Sequence, residues 1–238
     1  MTKGYDDSDV TVPEGVENCE FPALTLSQLA VNVIDVDAKA CLTKGTKCPV
    51  NTEEGTKFTI RVNDEQTEDF YVLADDGNKV TLIMNKNLGN TVAWYEDSSD
   101  NSYGPITALT YLQSQTNDWT NLAPIVINKF DYDEREDAQL PNNQSFTMYA
   151  RLPKYSEIHA INNSAILSNT PWLYINLHGT GDNTADSNGN YKSGYWTSAA
   201  NSGDPRHARF VDFDGLLYSH TVNYDNRHGV RPVIELSK

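Results

Sequence analysis

Residues 194–238 read GYWTSAANSGDPRHARFVDFDGLLYSHTVNYDNRHGVRPVIELSK. Apolar side chains recur here at every second position, the period of a half-buried strand. The stretch divides into GYWTSAA (194–200), the pair ARFVDFDG and LLYSHTV (208–222), and GVRPVIEL (229–236). Asp214-Gly215 between the paired segments is a tight hairpin signal, because glycine supplies the positive φ such turns require. Trp196, Val211, Phe213, Leu217, Val222, Val230 and Ile234 are the expected core positions. Between them lie Tyr, His, Asn, Asp and Arg in numbers unusual for simple loops.

Upstream, KFTIRVNDEQTEDFYVLADDGNKVTLIMNKNLG (57–89) repeats the same period. Phe58, Ile60 and Val62 alternate with polar residues, as do Phe70, Val72 and Ala74. Asp76-Gly77 then turns the chain into Val80, Leu82 and Met84, which predicts a β-meander. GVRPVIEL is expected to pair with the early meander strand near Phe58–Val62, joining the two ends of the domain. GPITALTYLQSQ (104–115) predicts a helix, with Pro105 near its start and Ile106, Leu109 and Leu112 at helical spacing. ARLPKYSEIHAIN (150–162) predicts a second helix opening at Pro153. Leu24, Leu26, Leu29, Ala30 and Val33 suggest a short helix near Thr25 or Ser27. PWLYINL (171–177) reads as a short strand, YEDSSDNSY (95–103) as a polar loop, and GTGDNTADSNGNY (179–191) as a surface loop. Residues 123–148 read as irregular, with the acidic run DYDEREDAQ as a solvated loop. The expected organisation is an irregular N-terminal segment, 1–51, followed by one α+β domain, 52–238.

The chain of 238 residues carries 18 basic and 33 acidic residues, a formal charge of −15. A phosphate backbone requires a basic patch, so nucleic acid is excluded as a partner class. No run of about 18 apolar residues is present, the minimum for a spanning helix. MTKGYDDSDVTVPEG at the start is polar and carries no signal-peptide pattern. The cysteines are Cys19, Cys41 and Cys48. Cys41 and Cys48 flank LTKGTK, whose Lys-Gly pair suits a turn. A local disulfide, which places the chain in an oxidising compartment, is the favoured reading; two free thiols are the alternative. Zinc would need further ligands at matching spacing. No GxSxG elbow, Walker A loop or HExxH occurs, and GTGDNT (179–184) lacks a dinucleotide fingerprint. No catalytic set emerges, and the expectation is a non-enzyme.

Several pieces fall in the order of one known pattern. RLPKYSEIHAI resembles the Arg-Leu-Pro helix opening of the formylglycine-generating-enzyme branch of the C-type-lectin fold. GYWTSAA, ARFVDFDG and GVRPVIEL are similar to the last strands of that fold. The combination of the meander with GPITAL, WTN, YWTS and GVRPVI resembles more closely a family of surface and pilin-like proteins of Gram-positive gut bacteria. The resemblance spans about residues 52–238. It implies an α+β C-type-lectin-like domain with small twisted antiparallel sheets, two helices and long loops. The oxidase chemistry of the formylglycine-generating branch does not transfer, because it depends on C-terminal cysteines and none follows Cys48.

The same scaffold serves the variable proteins of diversity-generating retroelements, which vary this last segment. The resemblance therefore implies a ligand-binding surface at Tyr191, Asn201, Asp204, His207, Asp212, Tyr218, His220, Asn223, Tyr224, Asn226, Arg227 and His228. Tyrosine gives rigid contact area and Asn or His adaptable hydrogen bonds, as in a binder's paratope. Tyr218, Tyr224, Arg227 and His228 are the expected energetic anchors. The expected partner is a protein or glycan on another cell or phage, met at the cell surface. The alternative is a structural, minor-pilin-like ectodomain. No cofactor is expected, although a structural calcium is one use for Asp182, Asp186, Asn188 and Asn190, or for Asp97, Asp100 and Asn101. His207, His220 and His228 could also meet as a metal site, with ordinary surface histidines as the simpler reading.

Overall fold

The computed structural model describes residues 24–33, 38–49, 55–133, 137–162, 170–174, 194–213, 215–224 and 228–238. The chain opens with a single helical turn, α1 (Leu26–Leu29), where the Thr25 amide donates to the Gln28 side chain at 2.7 Å. The helix expected to run on from there stops at Ala30. Val31 and Val33, β-branched and stiff at χ1, continue instead as strand β1 (Ala30–Val33). A second helical turn, α2 (Ala38–Cys41), leads to the disulfide joining Cys41 to Cys48, with Cα atoms 4.6 Å apart.

The meander forms as expected: β2 (Lys57–Arg61), β3 (Thr67–Asp75) and β4 (Lys79–Met84) are antiparallel neighbours. Helix α3 (Ile106–Thr116) follows Pro105 and buries Ala108, Leu109 and Leu112. Residues 123–148, expected to be irregular, contain four short strands: β5 (Ile125–Ile127), β6 (Lys129–Tyr132), β7 (Ala138–Gln139) and β8 (Phe146–Met148). At two to four residues each, they are too short to display an alternation. Helix α4 (Tyr155–Asn162) follows the Arg-Leu-Pro segment. Of PWLYINL, expected as a strand, Pro171–Leu173 form a 3-10 turn, with the carbonyls of Trp172 and Leu173 accepting from the Arg231 side chain, and residues 175–177 lie outside the described residues. The final segment gives β9 (Gly194–Ala200), β10 (His207–Val211), β11 (Leu217–Thr221), β12 (His228–Gly229) and β13 (Val233–Ser237).

One sheet has the order β1-β2-β3-β4-β13; the other has β11-β10-β9-β6-β7, with β12 beside β9; β5 and β8 form a separate pair. The protein is thus a mixed α and β structure built mostly of small antiparallel sheets. The closing strand joins the meander at a different edge from the one expected. β13 pairs with β4, Ile234 opposite Leu82. The free edge of β2 is instead taken by β1, Val33 opposite Phe58. Residues 24–49, expected as a segment ahead of the domain, supply Leu26, Leu29, Ala38 and the cystine to the same core.

Both faces of the first sheet are covered. Phe58, Ile60, Phe70, Leu82 and Ile234 point into a large core with α3, Trp94 and Trp196. Leu73, Ile83 and Val233 point into a smaller core with Ile158 of α4, Trp172, Leu173, Tyr195, Val211 and Leu217. Burial on both faces explains why β4 reads as the continuous run VTLIM. Of the expected core positions, Phe213 is the exception, 37% exposed. It lies past the end of β10, in the hairpin turn, where its N–H donates to Asp212 at 2.8 Å.

Two arginines fix the closing strand. Arg231 is fully buried and donates to the carbonyls of Met84 (2.5 Å), Leu173 (2.5 Å) and Trp172 (2.9 Å). Arg151, of the Arg-Leu-Pro segment, binds both carboxylate oxygens of Glu157 on α4, at 2.8 and 2.5 Å, and Glu235 of β13 at 3.1 Å. Its fork geometry suits such paired contacts.

Candidate functional site: an aromatic ledge on the edge hairpin

The β10–β11 hairpin is in full register, from His207 opposite Thr221 to Val211 opposite Leu217. Side chains alternate across it. Val211, Leu217 and Arg209 take one face; Ala208, Phe210, Tyr218 and His220 take the other. That second face continues onto Trp196, which pairs with Phe210. β11 is the outer strand of its sheet.

The floor of this face is buried. The Trp196 indole donates to the Val92 carbonyl at 2.8 Å, and its ring meets Phe210 edge-on at 5.9 Å. The His228 ring lies 4.4 Å from that of Trp196 and 3.9 Å from that of Phe210. Above the floor, Tyr218 lies near-parallel to Phe210 at 6.4 Å and is 54% exposed. His220 meets Phe210 edge-on at 6.3 Å, and Tyr224 packs on His220 at 4.5 Å. Tyr218, His220 and Tyr224 thus form one ledge of partly exposed rings on a rigid base.

Hydrogen bonds bring a second segment to its side. Tyr95 N–H donates to the Val222 carbonyl at 2.9 Å, Val222 N–H to Arg206 at 2.9 Å, and Asn101 N–H to Pro205 at 2.6 Å. Tyr95 stacks on Tyr103 at 4.9 Å, and Tyr103 is 42% exposed. This pair belongs beside the ledge and was missed in the sequence. The available signal was a tyrosine at each end of YEDSSDNSY, but nothing local says which other loop it meets.

The other expected site residues lie elsewhere or play other parts. Asn201, Asp204 and Asp212 shape turns. Asn201 donates to Ser219 at 3.0 Å and accepts from the Gly203 amide at 2.8 Å. Asp204 is held down to about 2 by the side chain and backbone N–H of Arg206. His207 projects from the hairpin face opposite His220, so the three-histidine metal site does not assemble on one face. His228, expected as an exposed anchor, is 3% exposed, because β12 runs in the sheet with His228 opposite Gly194. Asn223 is exposed beside Tyr224. Tyr191, Asn226 and Arg227 lie outside the described residues, as do Asp182, Asp186, Asn188 and Asn190.

Of the second acidic loop, Asp100 caps its own turn, accepting from Ser102 N–H at 2.9 Å. Asn101 is buried, and its amide nitrogen lies within hydrogen-bonding distance of the carbonyls of Asn201 (3.0 Å), Asp204 (3.0 Å) and His207 (2.8 Å). Asn101 therefore staples two loops together. Cys41, Cys48 and Asp75 also converge, but both sulfurs are used in the disulfide. No helix among the described residues is long and apolar enough to cross a membrane. Comparison with known proteins returns no matching family model, curated protein or solved structure.

Proposed function

We propose that the protein is a non-catalytic ligand-binding domain of the C-type-lectin-like kind, acting at the cell surface through the ledge of Tyr218, His220 and Tyr224. The observation that carries the reading is Tyr218, more than half exposed on an edge strand over a floor of buried rings. An exposed tyrosine on a rigid apolar base provides contact area at low entropic cost. The Tyr95–Tyr103 pair and Asn223 extend the surface. The partner is a protein or glycan on another cell or a phage, and the net charge of −15 favours neutral or basic surfaces on it. The Cys41–Cys48 bridge supports an oxidising, extracellular setting. Segment 194–238, which carries the ledge, is the one that retroelement-diversified proteins of this kind vary.

The test is an array of glycans and bacterial surface proteins probed with the parent chain and with a Tyr218→Ala, Tyr224→Ala variant. The parent is expected to bind at least one feature, and the variant to lose about 2 kcal/mol or more, roughly thirtyfold in affinity. A verified ligand bound equally by both overturns the site. A parent that binds nothing overturns the reading in favour of a structural, minor-pilin-like ectodomain.

A further inference from the structure

A second site stands apart from the ledge. Between the start of α3, strands β5 and β6, and the Arg151–Lys154 segment lies a cavity of about 210 Å³. That is below the range of about 300–1,000 Å³ typical of drug-sized ligands, so its occupant is small. Asp131 and Ser198 line it on the side of the second sheet.

Asp131 is 6% exposed, and its Oδ2 accepts from the Ser198 hydroxyl at 2.9 Å. Its Oδ1 accepts no hydrogen bond among the described residues, and the carboxylate belongs to no ion pair there. Burial pushes the Asp131 carboxyl up, and the Ser198 hydrogen bond and the field of Lys154 offset only part of that push; Asp137 and Glu157 add to it. A buried carboxylate with an oxygen open to a cavity is an incomplete arrangement. Arg151 also lines the cavity, but its guanidinium is occupied by Glu157 and Glu235. Lys129 and Lys154 line it too, and neither forms an ion pair among the described residues. The remaining wall is mostly apolar, with Leu109, Val126 and Leu152, and includes Asn128 and Asp137.

We infer that this cavity binds a small zwitterion of the amino-acid type, its ammonium on Asp131, its carboxylate toward Lys129 and Lys154, and its apolar part against Leu109, Val126 and Leu152. The ammonium supplies the donor that Oδ1 lacks. The two lysines supply the cationic counterpart in which Arg151 does not take part. The inference does not depend on the ledge, since the two sites share no lining residue.

The experiment is a thermal-shift and calorimetric titration of the whole chain with each of the common L-amino acids. 4-Methylpentanoic acid and isopentylamine are added as one-charge controls, and glucose and N-acetylglucosamine as neutral ones. At least one amino acid with an aliphatic side chain is expected to raise Tm and to bind at least tenfold more tightly than either one-charge control. Asp131→Asn keeps an acceptor for Ser198 and Lys154→Met keeps the stem; each is expected to fold and to lose at least tenfold in affinity. Absence of binding by every amino acid overturns the inference. So does affinity unchanged in both variants, or neutral sugars binding as well as the amino acids. Should Asp131→Asn not fold, Lys154→Met and the one-charge controls decide the matter.

Discussion

Replacing Arg231 with Met tests the joint that closes the fold. The guanidinium is fully buried and forms no ion pair among the described residues; it donates to three carbonyls, on β4 and on the turn at Pro171–Leu173. It also lies over the Tyr195 ring at 5.1 Å. Methionine fills a similar stem volume and donates nothing. Hydrogen bonds to a charged group contribute about 1.5–3 kcal/mol each, so the three together account for roughly 5–9 kcal/mol of gross loss. The ring contact adds about 1 kcal/mol. Against this, the parent bears the cost of a desolvated cation, several kcal/mol. The direction of that cost is visible, since burial lowers the Arg231 pKa despite its neighbours. The net expectation is a destabilisation of about 3 kcal/mol. For a chain of this length each kcal/mol shifts Tm by about 2–4 °C, so Tm should fall by about 6–12 °C.

The measurement is thermal unfolding followed by near-ultraviolet circular dichroism, with a guanidinium chloride titration alongside. The midpoint should fall while the m-value holds. Arg231→Lys should recover only part of the loss, because an ammonium cannot address both the β4 carbonyl and the turn with a planar fork. A methionine variant as stable as the parent refutes the reasoning. It would mean that the cation's desolvation outweighs its hydrogen bonds, and that β13 is held by its strand pairing alone.

Three further outcomes are expected. Thiol counting by intact mass on non-reduced protein should find Cys41 and Cys48 unreactive; three free thiols would refute the bridge, and its reduction should cost about 2–3 kcal/mol at most for so short a loop. Asp133→Asn should lower Tm at neutral pH, because hydrogen bonds from Arg209 and Ser202 overcome the upward push of burial and hold the Asp133 carboxyl below its ordinary 3.8. A depressed carboxylate stabilises above its unfolded pKa and loses that contribution as pH falls through the folded value, so the gap between variant and parent should close below about pH 4. Asp131 has the opposite sign: its raised folded pKa penalises the charged form at neutral pH, so Asp131→Asn should match or exceed the parent in Tm at pH 7, and that advantage should vanish on acidification.

The edge hairpin was legible because two independent local signals agreed. Asp214-Gly215 marked the turn, Gly215 takes φ +81°, and the alternation in ARFV and LLYSH fixed which residues share a face. Helix α3 was legible for a similar reason, Pro105 and a 3.6-residue period pointing to one start. What failed was competition between distant segments. Nothing local in VNV or VIEL says that β1 takes the edge of β2 and leaves β13 to β4. Arg231 read as one polar residue in a strand, because the turn it satisfies lies 58 residues away. His228 sits in NRHG, a stretch that reads as loop; parallel pairing with Gly194 buries it, and that pairing has no sequence signature of its own.

These failures bear on how the ledge can work. Its precision comes from strands and buried rings more than from loops. Trp196 is held to Val92 by its indole, Val92 N–H donates to the His228 carbonyl at 2.9 Å, and Tyr95 N–H is held by Val222. The floor and the neighbouring loop are therefore tied together beneath the exposed rings, and none of these ties runs through the side chain of Tyr218, Asn223 or Tyr224. Substituting those three with any polar or aromatic residue should change stability by about 0.5 kcal/mol or less for most variants. Trp196→Ala removes a fully buried indole and leaves the Val92 carbonyl without its donor, so it should cost about 3–5 kcal/mol. A small library at positions 218, 223 and 224, displayed and sorted for protease resistance, measures both. If most library members are lost as readily as Trp196→Ala, the ledge is part of the core and cannot serve as a variable binding face. If they survive, the surface can change its partner while the sheet beneath stays the same.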